Sequence, residues 1–235
     1  MHIVAIASRK GGSGKSTLTG HLAVQAEQSG DGPVAVFDTD PQASLTQWWN
    51  ARPSPTPRFV SSDLSNLQSH LDALRQNGIR VLFIDTPPAL TETIHQVVSL
   101  ADLVLIPTRP SPHDLRAIGG TMRLVEALGK PMVFVVNGAT PRTRITAEAV
   151  SVLSRFGTLA PAIVHQRVDY AASMIDGRTV MELPGISRSA GEIAQLWWHL
   201  RDRLAGTAAP LRLPKAPPSD RLARVFPAVA AGGAA

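Results

Sequence analysis

The feature that most constrains this chain is a glycine-rich loop set between two apolar patterns of different period. Residues 3–7, Ile-Val-Ala-Ile-Ala, form a short apolar run of strand character, and helical spacing begins at Lys15. Between them lies Ser8-Arg9-Lys10-Gly11-Gly12-Ser13-Gly14-Lys15-Ser16-Thr17. In a strand, loop and helix of this order, the loop N–H groups and the helix N-terminus converge on one point and favour negative charge there. Gly11, Gly12 and Gly14 let the backbone approach phosphate oxygens closely. Lys15 puts charge against β and γ phosphates, and the Ser16 hydroxyl is a ligand type that suits Mg2+. A glycine turn that binds nothing would need neither of the flanking elements nor two lysines.

The rest of the chain repeats the alternation. Further β-rich apolar runs fall at 34–37, 81–84, 103–106 and 132–136, and helical spacing at 15–28, 42–49, 64–77, 91–99, 113–128, 145–155 and 189–204. Strands alternating with helices predict a single doubly wound, mostly parallel sheet flanked by helices, of the α/β class. A content of 44% hydrophobic and 17% charged residues suits strands that are apolar on both faces and excludes a disordered chain. We expect one domain over 1–205, a proline-rich loop at 52–57, and a mobile Pro/Ala-rich tail over 206–235 whose composition cannot offset its ordering entropy. With no cysteine, disulfides, thiolate metal sites and iron–sulfur clusters are unavailable, and the chain fits a reducing cytosol. Residues 1–8 lack the basic start and cleavage site of a signal peptide, and no apolar run reaches the roughly 20 residues a membrane helix needs. The net charge of +5 favours an anionic partner, nucleic acid or membrane surface.

Three strand ends carry polar residues. Asp38-Thr39-Asp40-Pro41-Gln42 follows the second run, Asp85-Thr86-Pro87-Pro88 the third, and Asn137 the fifth. Ligands of open α/β sheets bind at the carboxyl edge of the strands, where these residues should gather with the loop. Asn137 also precedes Gly138 and reads equally as a left-handed turn residue.

The standard phosphate loop has a glycine five residues before Gly14. Here Arg9 occupies that position and a second lysine, Lys10, precedes the glycine pair. This K-G-G-x-G-K-[ST]-T form resembles the deviant Walker A loop of the ParA/MinD family of P-loop NTPases. The segment Asp38 to Gln42 resembles that family's D-x-D-P-Q motif, and Asp85-Thr86-Pro87-Pro88 its Walker B and switch II. The stretch from Ala162 to Tyr170 resembles the small ParA proteins of the ParF type, which lack a helix-turn-helix domain. The likeness spans roughly residues 1–204 and leaves the tail without a counterpart.

The resemblance implies an ATPase that uses ATP and Mg2+. Lys10 would reach a partner subunit's nucleotide, Lys10, Lys15 and Asp40 would serve catalysis, and Asp40 would orient the attacking water. Ser16, Asp38 and Asp85 would hold the metal directly or through water. Gly11, Gly12, Ser13, Gly14, Lys15, Ser16 and Thr17 would cradle the phosphates, and Asn137 would contact adenine. It further implies an ATP-dependent homodimer, cytoplasmic and nucleoid-associated, that binds DNA non-specifically. A ParB-like or other cargo adaptor would stimulate its slow hydrolysis as it partitions plasmid, chromosome or protein cargo. Candidate DNA-binding residues are Arg142, Arg144, Arg155, Arg167, Arg178, Arg188, Arg201 and Arg203. The rival is a MinD-like ATPase acting at the membrane through the apolar spacing of Leu222, Val225, Phe226 and Val229, which Pro227 interrupts; membrane binding is the less favoured reading. Metabolic relatives are disfavoured by the missing cysteines and the missing substrate domain, and a non-hydrolysing scaffold would leave Asp40 idle. His113 and His165 belong to no ligand-spaced cluster and read as polar loop residues. In the adjacent pairs Trp48-Trp49 and Trp197-Trp198, helical spacing lets one member face the core while its neighbour points elsewhere.

Overall fold

Parallel strands need crossovers, and each crossover here carries a helix onto one face of a growing sheet. The computed structural model describes residues 1–61, 67–89, 92–185 and 187–206. Its strands are β1 (His2–Ile6), β2 (Val34–Asp38), β3 (Arg58–Val60), β4 (Val81–Asp85), β5 (Leu103–Thr108), β6 (Met132–Ala139) and β7 (Thr158–His165). Its helices are α1 (Lys15–Gln28), α2 (Ser44–Asn50), α3 (Leu67–Gln76), α4 (Glu92–Leu100), α5 (Pro112–Ala127), α6 (Arg144–Phe156), α7 (Val168–Met174) and α8 (Arg188–Leu204). The seven strands lie in the order β3-β2-β4-β1-β5-β6-β7. Every pairing is parallel.

Because strand side chains alternate between faces, one strand feeds two cores. Val4 and Ile6 of β1 join Leu18 and Leu22 of α1, Leu45 and Trp48 of α2, Tyr170 of α7 and Trp197 of α8. Ile3 and Ala5 face the opposite way, onto Leu71 of α3, Val97 of α4, Ile118 of α5 and Leu153 of α6. The five expected strands are all present. Sequence reading missed β3 and β7, the two sheet edges. β3 has only three residues. β7 contains Pro161, which an edge strand tolerates, and its register against β6 is broken by irregularities. It also missed α7, whose seven residues span barely two turns.

The tryptophan pairs divide as their spacing suggests. Trp48 and Trp197 are buried, Trp198 is exposed, and Trp49 packs tilted on Phe59 at a 5.1 Å centroid separation. His113 lies in the first turn of α5, as the helical spacing over 113–128 predicts and against its reading as a loop residue; the helix start is set by Pro112 and by the Ser111 hydroxyl accepting from the Asp114 N–H. His165 is the last residue of β7. The expected helix at 64–66, the residue Thr91, the tail from 207 onward and the segment containing Leu222, Val225, Phe226 and Val229 lie outside the described residues.

Candidate nucleotide site

The carboxyl edge of β1 leads into the glycine loop, and the loop's shape follows from its glycines. Gly12 and Gly14 have φ of +72° and +92°, the left-handed region that costs glycine nothing. Gly14 is pinned twice, because a Cβ there would also come within 2.2 Å of the Asn137 side-chain amide. It caps α1, whose first turn has neither a side-chain cap nor an acidic residue. The helix therefore presents free N–H groups and its positive dipole end to the loop, with no side chain of its own to satisfy them. Arg9, in the glycine position of the standard loop, donates its N–H to Thr121 Oγ1 at 3.3 Å. Its side chain lies across Gly120, where an added Cβ would meet Arg9 Cδ at 2.5 Å. The absence of a side chain at position 120 thus makes room for the arginine.

Strand order brings the acidic residues to this loop. Asp85 at the end of β4 pairs in register with both Ile6 of β1 and Asp38 of β2. The Ser16 hydroxyl donates to Asp85 Oδ2, while the fully buried Asp85 Oδ1 has no hydrogen-bond partner among the described residues. Burial raises the Asp85 carboxyl to about 7, against the lowering effect of the Ser16 hydrogen bond, with Asp38 pushing it further up. Lys15 is buried, and desolvation lowers its ammonium against the favourable charges of Asp85 and Asp40. Lys10 is exposed. One lysine thus belongs to the cradle and the other stands outside it.

Asp38 and Asp40 shape the loop before α2. Asp38 Oδ2 accepts from the Thr46 N–H at 2.9 Å and the Thr46 hydroxyl at 2.8 Å, and Oδ1 from the Asp40 N–H at 3.0 Å. Asp40 Oδ1 accepts from the Gln42 N–H at 3.0 Å. Thr39 fastens this loop to β4 through its N–H and hydroxyl, both donating to the Asp85 carbonyl. Among the described residues no cluster of three or more His, Asp or Glu is placed to hold a metal alone. A hard cation here would rest on Ser16 and the orphaned Asp85 oxygen, with phosphate and water completing its shell; that donor set fits Mg2+.

Beyond the loop a cleft of about 190 Å³ continues toward β6 and β7. Gly14, Thr17, Arg109, Asn137, His165 and Tyr170 are among its lining residues. Both Asn137 and Gly138 lie in β6; the left-handed φ of +63° belongs to Gly138, where the register against β7 shifts, and not to Asn137. Its Nδ2 donates to the Ser13 carbonyl at 2.7 Å, tying the loop to β6. Arg109 escaped the sequence reading although it follows β5 just as Thr86 follows β4; the strand-end rule could have found it. Tyr170 closes the stretch that resembles the small ParA proteins, whereas Glu192, a helix-interior position, carried no signal.

The eight candidate arginines do not gather. Arg142, Arg144 and Arg155 belong to the α6 layer on one face of the sheet; Arg167, Arg178, Arg188, Arg201 and Arg203 belong to α7, α8 and their joining segment on the other. Several are already paired: Arg144 with Glu148, Arg167 with Glu192, Arg178 with Asp176 and Arg201 with Asp31.

A doubly wound parallel sheet with an uncapped helix behind a left-handed glycine loop, a buried lysine and a strand-end aspartate defines a nucleotide-binding protein. Known proteins carry this further. Residues 4–180 match the model of the CobQ/CobB/MinD/ParA nucleotide binding domain, and the chain belongs to that family, whose ParA and MinD members are ATPases. It is 29% identical over 199 residues to the maintenance of carboxysome distribution protein A of Halothiobacillus neapolitanus, covering 80% of this chain and 91% of the relative. It is 31% identical over 194 residues to protein ParA of Rhizobium radiobacter, covering 81% and 80%. Among solved structures, apo McdA of Cyanothece superposes with a TM-score of 0.69 at 20% identity over 85% of this chain and 98% of the other. Among the described residues, no helix is long and apolar enough to cross a membrane.

Proposed function

We propose that this chain is a ParA-type positioning ATPase in which bound ATP is the signal for two subunits to pair. The observation that carries the reading is the division of labour between its lysines: Lys15 is buried against Asp85 and Asp40, whereas Lys10 stands exposed on the outer side of the same loop. Among the described residues Lys10 forms no ion pair, and an exposed cation on this loop suits a nucleotide held by another copy. The loop N–H groups and Lys15 hold the triphosphate, Asn137 and the neighbouring cleft receive the adenine, and Asp40 orients water toward the γ phosphate. Magnesium, held by Ser16 and Asp85 with Asp38 in its outer shell, would supply charge to the phosphate oxygens. Hydrolysis by positioning alone is slow, which leaves room for a ParB-like or other adaptor to accelerate it.

The relatives named for chromosome partitioning and for carboxysome distribution support a cargo-moving role. The working location would be the nucleoid, with the arginines on the paired subunits contacting duplex DNA without sequence preference. Light scattering after gel filtration tests the pairing. With ATP and Mg2+ the full chain should elute as a dimer and without nucleotide as a monomer, and Lys10→Ala should stay monomeric while still binding ATP. A K10A protein that dimerises normally would remove this reading of Lys10.

A further inference from the structure

One carboxylate outside the phosphate loop gathers several residues that line the cleft next to it. Glu192 projects from α8, and four groups of the stretch from His165 to Tyr170, which runs from the end of β7 into α7, converge on it. The His165 N–H donates at 3.0 Å, His165 Nδ1 lies at 2.7 Å, Arg167 Nη2 donates at 2.7 Å, and the Tyr170 hydroxyl lies at 3.0 Å, its one proton shared with the Ser189 carbonyl at 3.0 Å. His165, Arg167 and Tyr170 are also three of the residues that line the cleft opposite Gly14 and Asn137. Their polar side-chain ends meet at one acceptor on another helix, so the segment's position is set from outside itself. A second tie, the Ser189 hydroxyl donating to Asp169 at 2.8 Å, fixes α7 to the same turn of α8.

We propose that Glu192 is a positioning residue for nucleotide binding: it holds the β7–α7 segment at the distance that lets the cleft grip the base end of the nucleotide. It touches no phosphate and does not act on the loop. The inference rests on the reading that adenine occupies this cleft. Burial works to raise the Glu192 carboxyl, but the hydrogen bonds from Arg167, His165 and Tyr170 outweigh it and hold the carboxyl below the ordinary glutamate range. The group is therefore an anion at neutral pH and accepts every bond it is offered.

A ligand that lacks a base separates this role from simple stapling of α8. Calorimetric titration of the full chain with ATPγS and with inorganic tripolyphosphate, both with Mg2+, compares base and phosphate binding directly. Glu192→Gln should weaken ATPγS by about tenfold, the cost of part of a charge-assisted hydrogen-bond set, and leave tripolyphosphate unchanged. Tyr170→Phe, which removes the hydroxyl that Glu192 shares with the Ser189 carbonyl and keeps the ring, should lose less in the same direction, and it carries the comparison if E192Q does not fold. Equal losses for both ligands, or no loss for ATPγS, would overturn the proposal. Ala171→Trp, which fills the cleft, tests the underlying reading separately. If A171W binds ATPγS as the parent does, the base does not sit there; if A171W is impaired and E192Q is not, only the role of Glu192 falls.

Discussion

At the scale of single residues, Gly14 and two buried titratable groups set the sharpest limits. Gly14→Ala places a Cβ in a left-handed backbone and against the Asn137 amide, which must then give up its bond to Ser13. We expect a stability loss of about 1–3 kcal/mol in urea unfolding and a loss of nucleotide binding. His21 is buried in α1, its Nδ1 lies 2.8 Å from the Thr17 carbonyl, and burial lowers its imidazole to about 4. An unfolded histidine takes up its proton below the ordinary 6.5, so between 6.5 and 4 the folded state loses about 3 kcal/mol as pH falls. Asp85 acts in the opposite sense. With its carboxyl raised from 3.8 to about 7, the folded chain keeps a proton that the unfolded chain has released, so stability falls by about 4 kcal/mol as pH rises across that interval. The two slopes oppose each other. Unfolding midpoints across this range should therefore fall with rising pH in His21→Leu and rise with it in Asp85→Asn; parallel curves for both variants and the parent would disprove the assignment.

At the scale of elements, α2 couples the Asp40 loop to the far end of the chain. Arg52, just beyond α2, is almost wholly buried. It pairs with Glu182 at 2.8 Å, donates to the Gly177 carbonyl at 2.7 Å, and lies over the Trp48 ring at 4.8 Å. Gly177 packs so closely that a Cβ there would meet the Ala51 and Arg52 backbone at 2.3 Å. Arg52→Ala strands a partly buried Glu182 carboxylate and should cost about 3–5 kcal/mol in thermal or urea unfolding. A loss below about 1 kcal/mol would mean water replaces the guanidinium. Elements also show where sequence reading fails. β1, β2, β4, β5 and β6 are apolar on both faces and announce themselves. β7 buries every other residue, but its sequence Thr-Leu-Ala-Pro-Ala-Ile-Val-His does not alternate in polarity and carries Pro161, so the strand is not visible without its partner β6.

At the scale of the whole molecule, the candidate arginines lie on two faces, and Arg201 and Arg203 sit at the end of α8 remote from the loop. A DNA footprint under the proposed function then needs surfaces from both subunits of an ATP-bound pair. Duplex affinity should appear only with ATP and should fall by on the order of 10³-fold between about 50 and 200 mM salt. Fluorescence anisotropy with a labelled duplex reads both effects, and binding that is independent of nucleotide or insensitive to salt would exclude this arrangement.

The sequence by itself determined the loop, its neighbouring strand and helix, and the identity of Lys15, Ser16, Asp38, Asp40 and Asp85 as one constellation. Those features are local: each depends on residue type within a few positions and on the rule that strand ends share an edge. Only the tertiary structure decided which groups meet across long separations. Asn137 reaching Ser13, Arg9 lying on Gly120, and Glu192 gathering His165, Arg167 and Tyr170 are all set by strand order and helix placement. Hydrophobic period and glycine geometry are written along the chain, whereas the distance between two buried polar groups is settled when the two cores close around the sheet.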